Sequence, residues 1–157
     1  MGRVPDRGRA ADGFYGALIG VTQRNVKTVL AYSSISQIGL ITIAVGAWLV
    51  SGRVEQAALT AVLLYAMHHA LAKGSLFLGV GFAGAGRGVL AVLLLPALAL
   101  AGVPLTSGAV AKAALKTATA TLPGGWPALL NWLLPLAAVG TTLLMARFLW
   151  LMAHSPA

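Results

Sequence analysis

One stretch of the chain, residues 56–83, limits the choice of fold more than any other. It contains no acidic or basic side chain except His68, His69 and Lys73. A run of about 20 apolar residues is long enough to cross the hydrocarbon core of a membrane as a helix. The sequence therefore predicts a transmembrane helix with Lys73 close to mid-membrane, where a charged side chain costs about 2.5–3.5 kcal/mol.

The composition of the whole chain also indicates a membrane location. Of the 157 residues, 59% are hydrophobic and only 9% are charged, whereas soluble domains carry roughly 25% charged residues. The net charge of +8 does not indicate nucleic-acid binding, because the basic residues are spread along the chain and form no patch. We therefore predict an integral membrane protein that contacts the lipid bilayer and has no nucleic-acid partner.

The apolar runs predict an all-α fold, a polytopic membrane helix bundle. A polar segment at residues 1–12 precedes a transmembrane domain at residues 13–157. The predicted spans are residues 29–50, 56–83, 89–101, 107–121 and 128–153. Pro104 lies between the third and the fourth of these spans, and a proline interrupts helical hydrogen bonding. We therefore predict one proline-broken helix, whose free backbone groups must face protein or a water-lined cavity.

Several titratable residues of the second span lie on one side of it. His69 and Lys73 are four positions apart, so they project from the same helix face, and Tyr65 extends that face by another four. Ionisable residues inside a membrane mark ion pathways, and a buried amine can exchange protons near neutral pH. This face fits a proton relay, or a buried pair that holds two helices together. His68 points away from this face and fits either a relay or a packing role.

The adjacent histidines raise the separate question of a metal site. His68 and His69 diverge by about 100° on a helix, and no carboxylate is near them in the sequence. The chain has no cysteine, which excludes disulfides and cysteine-ligated centres. It also has no nucleophile paired with a base and no phosphate-binding glycine loop. We therefore predict no metal, no cofactor and no enzyme active site within the chain itself.

Further polar residues lie inside or beside the apolar runs. Lys112 follows the predicted break and fits either the proton path or an amine that extends to the membrane surface. Lys116 is one turn further along, and its expected role is to extend to that surface. Ser34 and Gln37, in the first span, can bond to neighbouring helices or line a water chain.

Three stretches together resemble one family of membrane proteins. Gln23–Gly39 resembles its segment DxKxxLAYSSxxQxG, His68–Leu78 resembles HAxxKxxLF, and Gly102–Lys112 resembles GxPxxxGFxxK. These segments are typical of the proton-conducting membrane subunits of respiratory complex I. Membrane subunits of multisubunit cation/proton antiporters and of membrane-bound hydrogenases belong to the same family. The resemblance implies inverted helical repeats with helices that are broken near mid-membrane.

The resemblance also implies roles for individual residues. By this resemblance Lys73 is the central lysine of a proton relay, His69 is its histidine partner, and Lys112 is the lysine at the end of the half-channel. Lys27 matches a lysine at the membrane edge. Tyr65 stands where many members of the family have another relay histidine. The implied path runs from Tyr65 through the histidine and the two buried lysines.

The chain also departs from the family pattern. Asn25 replaces an aspartate, Ala109 replaces an aromatic residue, and the first inverted repeat with its glutamate–lysine pair has no counterpart. The chain thus resembles the C-terminal part of such a subunit, with the second half-channel alone, and we expect that it does not move protons across the whole membrane by itself.

The function that this resemblance implies is the translocation of protons, or of protons and a cation such as sodium. We expect a subunit of a larger complex in the bacterial inner membrane, with other membrane subunits as its partners. The complex would be an NADH:quinone oxidoreductase, a hydrogenase or a cation/proton antiporter, in which this chain is not the redox subunit. The alternative is a truncated structural or assembly subunit that does not itself conduct protons.

Overall fold

The computed structural model describes residues 16–50, 56–84, 86–120 and 122–154. They form a short helical segment, α1 (residues 16–22), and five longer helices. The longer helices are α2 (Val26–Val50), α3 (Gln56–Val80), α4 (Arg87–Ala101), α5 (Ser107–Ala120) and α6 (Trp126–Ala153). No strand occurs in the described ranges, and the predicted all-α fold class is confirmed. The predicted polar segment at residues 1–12 lies outside the described residues.

Three of these helices are long and apolar enough to cross a membrane. Helices α2 and α3 have 25 residues each and α6 has 28. A helix rises about 1.5 Å per residue, so 25 residues exceed the roughly 30 Å of the hydrocarbon core. The described part of the chain is therefore a polytopic membrane helix bundle.

The two shorter helices, α4 and α5, together follow α3 in the antiparallel direction. Leu93 of α4 lies against Gly79, near the C-terminal end of α3. Ala118 of α5 shares an apolar cluster with Ala58, near the N-terminal end of α3. The short helices thus form one discontinuous span, and the predicted broken helix is confirmed.

The break between α4 and α5 follows from the sequence of residues 102–106. Gly102 ends α4 in the left-handed conformation, with φ 83°, and its N–H bonds to carbonyls of the last helical turn, as is common at helix C-termini. Pro104 has no N–H to continue the ladder. Thr106 then caps the N-terminus of α5, because its hydroxyl accepts a hydrogen bond from the Ala109 N–H at 3.4 Å.

The break is level with the middle of α3. Helix α3 runs from residue 56 to residue 80, so His68 has twelve helical residues on each side. A side-chain carbon at Gly108, in the first turn of α5, would be 3.0 Å from His68 Nε2. Lys73, expected close to mid-membrane, is five residues past this centre, a displacement of about 7.5 Å along the helix. The predicted span, residues 56–83, has its centre closer to Lys73. The centre of α3 lies further from Lys73 because the helix ends at Val80 and not at residue 83.

We expect Gly108→Ala to destabilise the bundle. The added methyl group would overlap the carbonyl oxygen of Ala99, and overpacking of this kind costs about 1–3 kcal/mol. The free energy of unfolding, from SDS titration in mixed micelles followed by circular dichroism, measures the loss. Gly46→Ala is the control, since a methyl group there meets no atom within 4 Å. Equal effects of the two substitutions would contradict the close contact between α4 and α5.

Candidate functional site

Lys73 points into the bundle, and only 5% of its surface is exposed. Its amine donates hydrogen bonds to the Leu30 carbonyl and the Ser33 hydroxyl, both on α2. The ring of Phe77 lies 5.9 Å from the amine, a distance at which a ring attracts a cation. Helices α2 to α6 contain no aspartate or glutamate. The amine is therefore surrounded by neutral groups, and it can change its protonation state without breaking an ion pair.

The Leu30 carbonyl, which accepts from Lys73, also accepts from two hydroxyls of its own helix. Ser33 donates to it at 3.0 Å and Ser34 at 3.2 Å. Sequence analysis left Ser34 open between bonding to another helix and lining a water chain. Ser34 bonds only to the Leu30 carbonyl of its own helix among the described residues. Because Lys73 donates to the same carbonyl, Ser34 is linked to the amine indirectly.

His69 lies next to this amine. It is close enough to interact electrostatically with Lys73 and with His68. Its Nδ1 atom is buried and has no hydrogen-bond partner among the described residues. Because buried polar atoms rarely lack a partner in folded proteins, this ring nitrogen is a candidate for a group that takes up and releases a proton.

His68 is brought to the break between α4 and α5. Its Nδ1 atom is 2.9 Å from the hydroxyl oxygen of Ser107, the first residue of α5. It is also within electrostatic range of Lys112. Sequence analysis left His68 open between relay and packing and did not identify Ser107, although a hydroxyl directly after a proline break is a signal that could have been used.

Lys112 binds the end of α4 across the break. Its amine donates to the carbonyls of Ala101 at 2.7 Å and Leu100 at 3.3 Å. The last carbonyls of a helix have no partner within the helix and form the negative end of its dipole. The cation fits closely here because residue 102 is glycine, and a side-chain carbon there would be 2.6 Å from Lys112 Nζ.

Four titratable side chains thus follow one another in the order Lys73, His69, His68 and Lys112. His69 is within electrostatic range of the first and third of these, and His68 is within range of Lys112. Within the described part of the chain, Lys73 and Lys112 form no direct hydrogen bond with each other. The row begins where α3 meets α2 and ends at the break of the discontinuous span.

Tyr65 belongs to a different polar cluster, which joins three helices. Its hydroxyl donates to Gln37 Oε1 at 2.7 Å, and Gln37 Nε2 donates to Thr141 Oγ1 at 2.5 Å. All three side chains are buried. Sequence analysis named Gln37 but not Thr141, because a contact between residues 104 positions apart leaves no periodic signal in the sequence. The ring of Tyr65 meets that of His68 edge to face, with centroids 6.5 Å apart.

Of the secondary candidates, Lys27 lies apart from the row, whereas Lys116 is one helical turn beyond Lys112 on α5. Both are exposed, Lys27 at the start of α2 and Lys116 near the end of α5. Lys116 lines a cavity of about 250 Å³ between α2, α5 and α6, together with Lys112 and Asn131. Within the described ranges, no three histidine or carboxylate side chains are grouped so that they could hold a metal ion.

Comparison with known families gives the affiliation of the chain. The family model described as "NADH:quinone oxidoreductase/Mrp antiporter, TM" matches residues 10–141, which is well over half of the sequence. The chain belongs to this family. The resemblance inferred from the three stretches is thereby confirmed.

Individual relatives match the chain over a small share of their own length. The putative antiporter subunit mnhA2 of Staphylococcus saprophyticus is 34% identical over 122 residues, which cover 62% of this chain and 15% of the relative. Hydrogenase-4 component B of Escherichia coli is 35% identical over 77 residues, with coverages of 46% and 12%. NADH-ubiquinone oxidoreductase chain 5 of Hypocrea jecorina is 34% identical over 67 residues, with coverages of 43% and 8%. The chain spans at most about a sixth of the length of these relatives, which are subunits of multisubunit complexes.

We expect Tyr65→Phe to lower the free energy of unfolding by about 1–3 kcal/mol, because it leaves the buried Gln37 oxygen without its donor. The SDS titration in mixed micelles measures this change. Tyr32→Phe is the matched control, since the Tyr32 side chain is half-exposed and no bond to its hydroxyl is recorded among the described residues. If the two substitutions have the same effect, the cluster does not stabilise the bundle.

Proposed function

We propose that the chain is a proton-translocating subunit of a larger membrane complex and that protons pass along Lys73, His69, His68 and Lys112. The observation that carries the proposal is the buried amine of Lys73, held by neutral oxygens and located beside an imidazole nitrogen for which the described residues provide no partner. A lysine with a purely structural role is usually paired with an acid when it is buried. An amine held only by neutral oxygens suits repeated uptake and release of a proton.

The geometry of the row supports proton transfer between the two amines. Each imidazole can accept a proton on one ring nitrogen and donate from the other. The two histidines therefore provide two successive acceptors between the Lys73 amine and the Lys112 amine. At the far end the carbonyls of α4 stabilise a positive charge on Lys112.

Tyr65 is left outside the proposed route, in contrast to the path implied by the family resemblance. Its hydroxyl donates to the amide of Gln37, and an amide does not readily take a proton on its oxygen and release one from its nitrogen. His68 takes the place of Tyr65 in the route, because it bonds to the start of α5 and lies near Lys112. The Tyr65 cluster is proposed to hold α2, α3 and α6 together.

The ion proposed is the proton and not sodium. Sodium is a hard cation, and hard cations prefer oxygen ligands, with carboxylates prominent among them. Helices α2 to α6 contain no carboxylate side chain. The row instead presents amines and imidazoles, which bind protons and repel cations. Lys116, near the end of α5, adds a further positive charge beside Lys112.

The relatives, which are subunits of multisubunit complexes, support the proposed partners. We propose an assembly of the same class as theirs, an antiporter, a hydrogenase or an NADH:quinone oxidoreductase, in a bacterial inner membrane. Arg24, Arg87 and Arg147 lie near the same ends of the bundle, and this end is proposed to face the cytoplasm. The alternative function is a structural or assembly subunit that does not itself conduct protons.

We expect Lys73→Met to abolish proton transport without loss of stability. Methionine fills a similar volume and removes the cost of an amine in a buried site. The measurement is proton uptake by proteoliposomes that contain the complex, followed with a pH-sensitive dye, together with the free energy of unfolding of the chain. Arg87→Gln is the control, because it removes a positive charge from an exposed position outside the row. Transport that persists in Lys73→Met would favour the structural alternative.

The proposed order of carriers gives a separate expectation for His68 and Tyr65. His68→Phe removes a ring that can carry a proton, so we expect transport to fall at least about tenfold, as after loss of a general acid–base group. Tyr65→Phe should retain transport, measured at a temperature at which the variant stays folded. The reverse result, transport lost in Tyr65→Phe and kept in His68→Phe, would restore the path with Tyr65.

A further inference from the structure

Part of the break between α4 and α5 lies on the outer surface of the bundle. Val103 and Pro104 are exposed, and Leu105 is fully exposed with φ 69°, an uncommon conformation for a residue with a bulky side chain. The Pro104 carbonyl and both backbone groups of Leu105 have no hydrogen-bond partner among the described residues. The surface of the bundle therefore carries unpaired backbone groups at this point.

These groups lie at a depth where lipid cannot satisfy them. The break is level with His68, the central residue of α3. Non-helical backbone at mid-membrane is found only where protein or a water-filled cavity covers it, because each unsatisfied group costs several kcal/mol in hydrocarbon. Residues 103–105 therefore require a covering surface that the described part of the chain does not supply.

A groove next to the break has the dimensions of a helix-binding site. It has a volume of about 460 Å³ and lies between α3, α4 and α5. Its walls include the exposed apolar side chains Met67, Leu71, Leu95 and Val110. Along α3 it extends from Leu64 to Ser75, about 16 Å or three helical turns. His68 and Ser107 also line the groove, so this polar pair borders whatever occupies it.

We propose that a transmembrane helix of another membrane subunit docks in this groove and covers residues 103–105. The apolar walls match a membrane helix, and the unpaired groups of the break require that helix to present a side-chain donor and acceptor at mid-membrane. Serine, threonine and asparagine are the residues that form such bonds between membrane helices. The docked helix would also separate the His68–Ser107 pair from lipid. Another subunit supplies the helix because the relatives of this chain are parts of multisubunit complexes.

The test is photo-crosslinking from position 105 in native membranes that contain the intact complex. A benzophenone amino acid replaces Leu105 in one variant and Val139 in the control. Val139 is an exposed apolar residue at the centre of α6, so it lies at a similar depth on regular helix. We expect an adduct between position 105 and a mid-span peptide of another membrane subunit, identified by mass spectrometry. Its yield should exceed that from position 139 by about tenfold, because a covered site meets protein and a lipid-facing site meets acyl chains.

Three results would overturn the proposal. Lipid adducts alone at position 105 would mean that lipid covers the break, and absence of adducts with protein or lipid would indicate water. An adduct between two copies of this chain would make the occupant a second copy. Circular dichroism of both variants checks that they fold.

A second pair of variants tests the groove itself. Val110→Trp fills it and should strongly reduce co-purification of the crosslinked subunit, while Val139→Trp should leave co-purification unchanged. Equal co-purification with both variants would place the contact elsewhere. Lys73→Met, which interrupts the proposed proton route, should leave the crosslink intact, so failure of transport and failure of docking are separable.

Discussion

The arrangement of this protein depends on the rule that a membrane leaves no backbone group unpaired at low cost. Helices α2 and α3 contain no proline and satisfy the rule along their length, whereas the discontinuous span does not. Its break creates a helix C-terminus and a helix N-terminus at mid-membrane. Lys112 occupies the first and Ser107 begins the second. The polar residues near the break are thus consequences of one interruption, and the position of Pro104 determines where they meet.

Lys73 has a buried amine and Lys112 has a partly buried one, and both amines are tolerated for the same physical reason. Among the described residues neither amine has an acidic partner, since helices α2 to α6 contain no aspartate or glutamate. Lys73 is held by a carbonyl and a hydroxyl of α2, and Lys112 is held by carbonyls at the end of α4. Carbonyl dipoles stabilise a cation without binding it as strongly as a buried carboxylate would. A proton held in this way can leave, which connects the mode of stabilisation with the proposed transport.

The sequence was sufficient for the all-α membrane bundle, the broken helix and the burial of Lys73, because apolar run length and proline placement are local properties. It was not sufficient for the roles of His68 and Tyr65. Four-residue spacing places Tyr65 and His69 on one face of α3, but it does not state which neighbouring helix each side chain meets. In the structure Tyr65 meets Gln37 on α2, while His68 meets Ser107 on α5. Such contacts depend on the packing order of the helices, which no short motif encodes.

The contacts on the inner side of the break and the unpaired backbone groups on its outer side both result from the interruption of the helix. Towards the interior, carbonyls at the end of α4 accept hydrogen bonds from the amine of Lys112. Towards the exterior, the carbonyl of Pro104 and the backbone groups of Leu105 have no partner within the described part of the chain. A straight helix would remove the exterior defect but also the interior cation site. Under the two proposals, a broken span couples proton transport to assembly, because the element that holds the charge needs a neighbouring helix to complete its hydrogen bonds in a membrane.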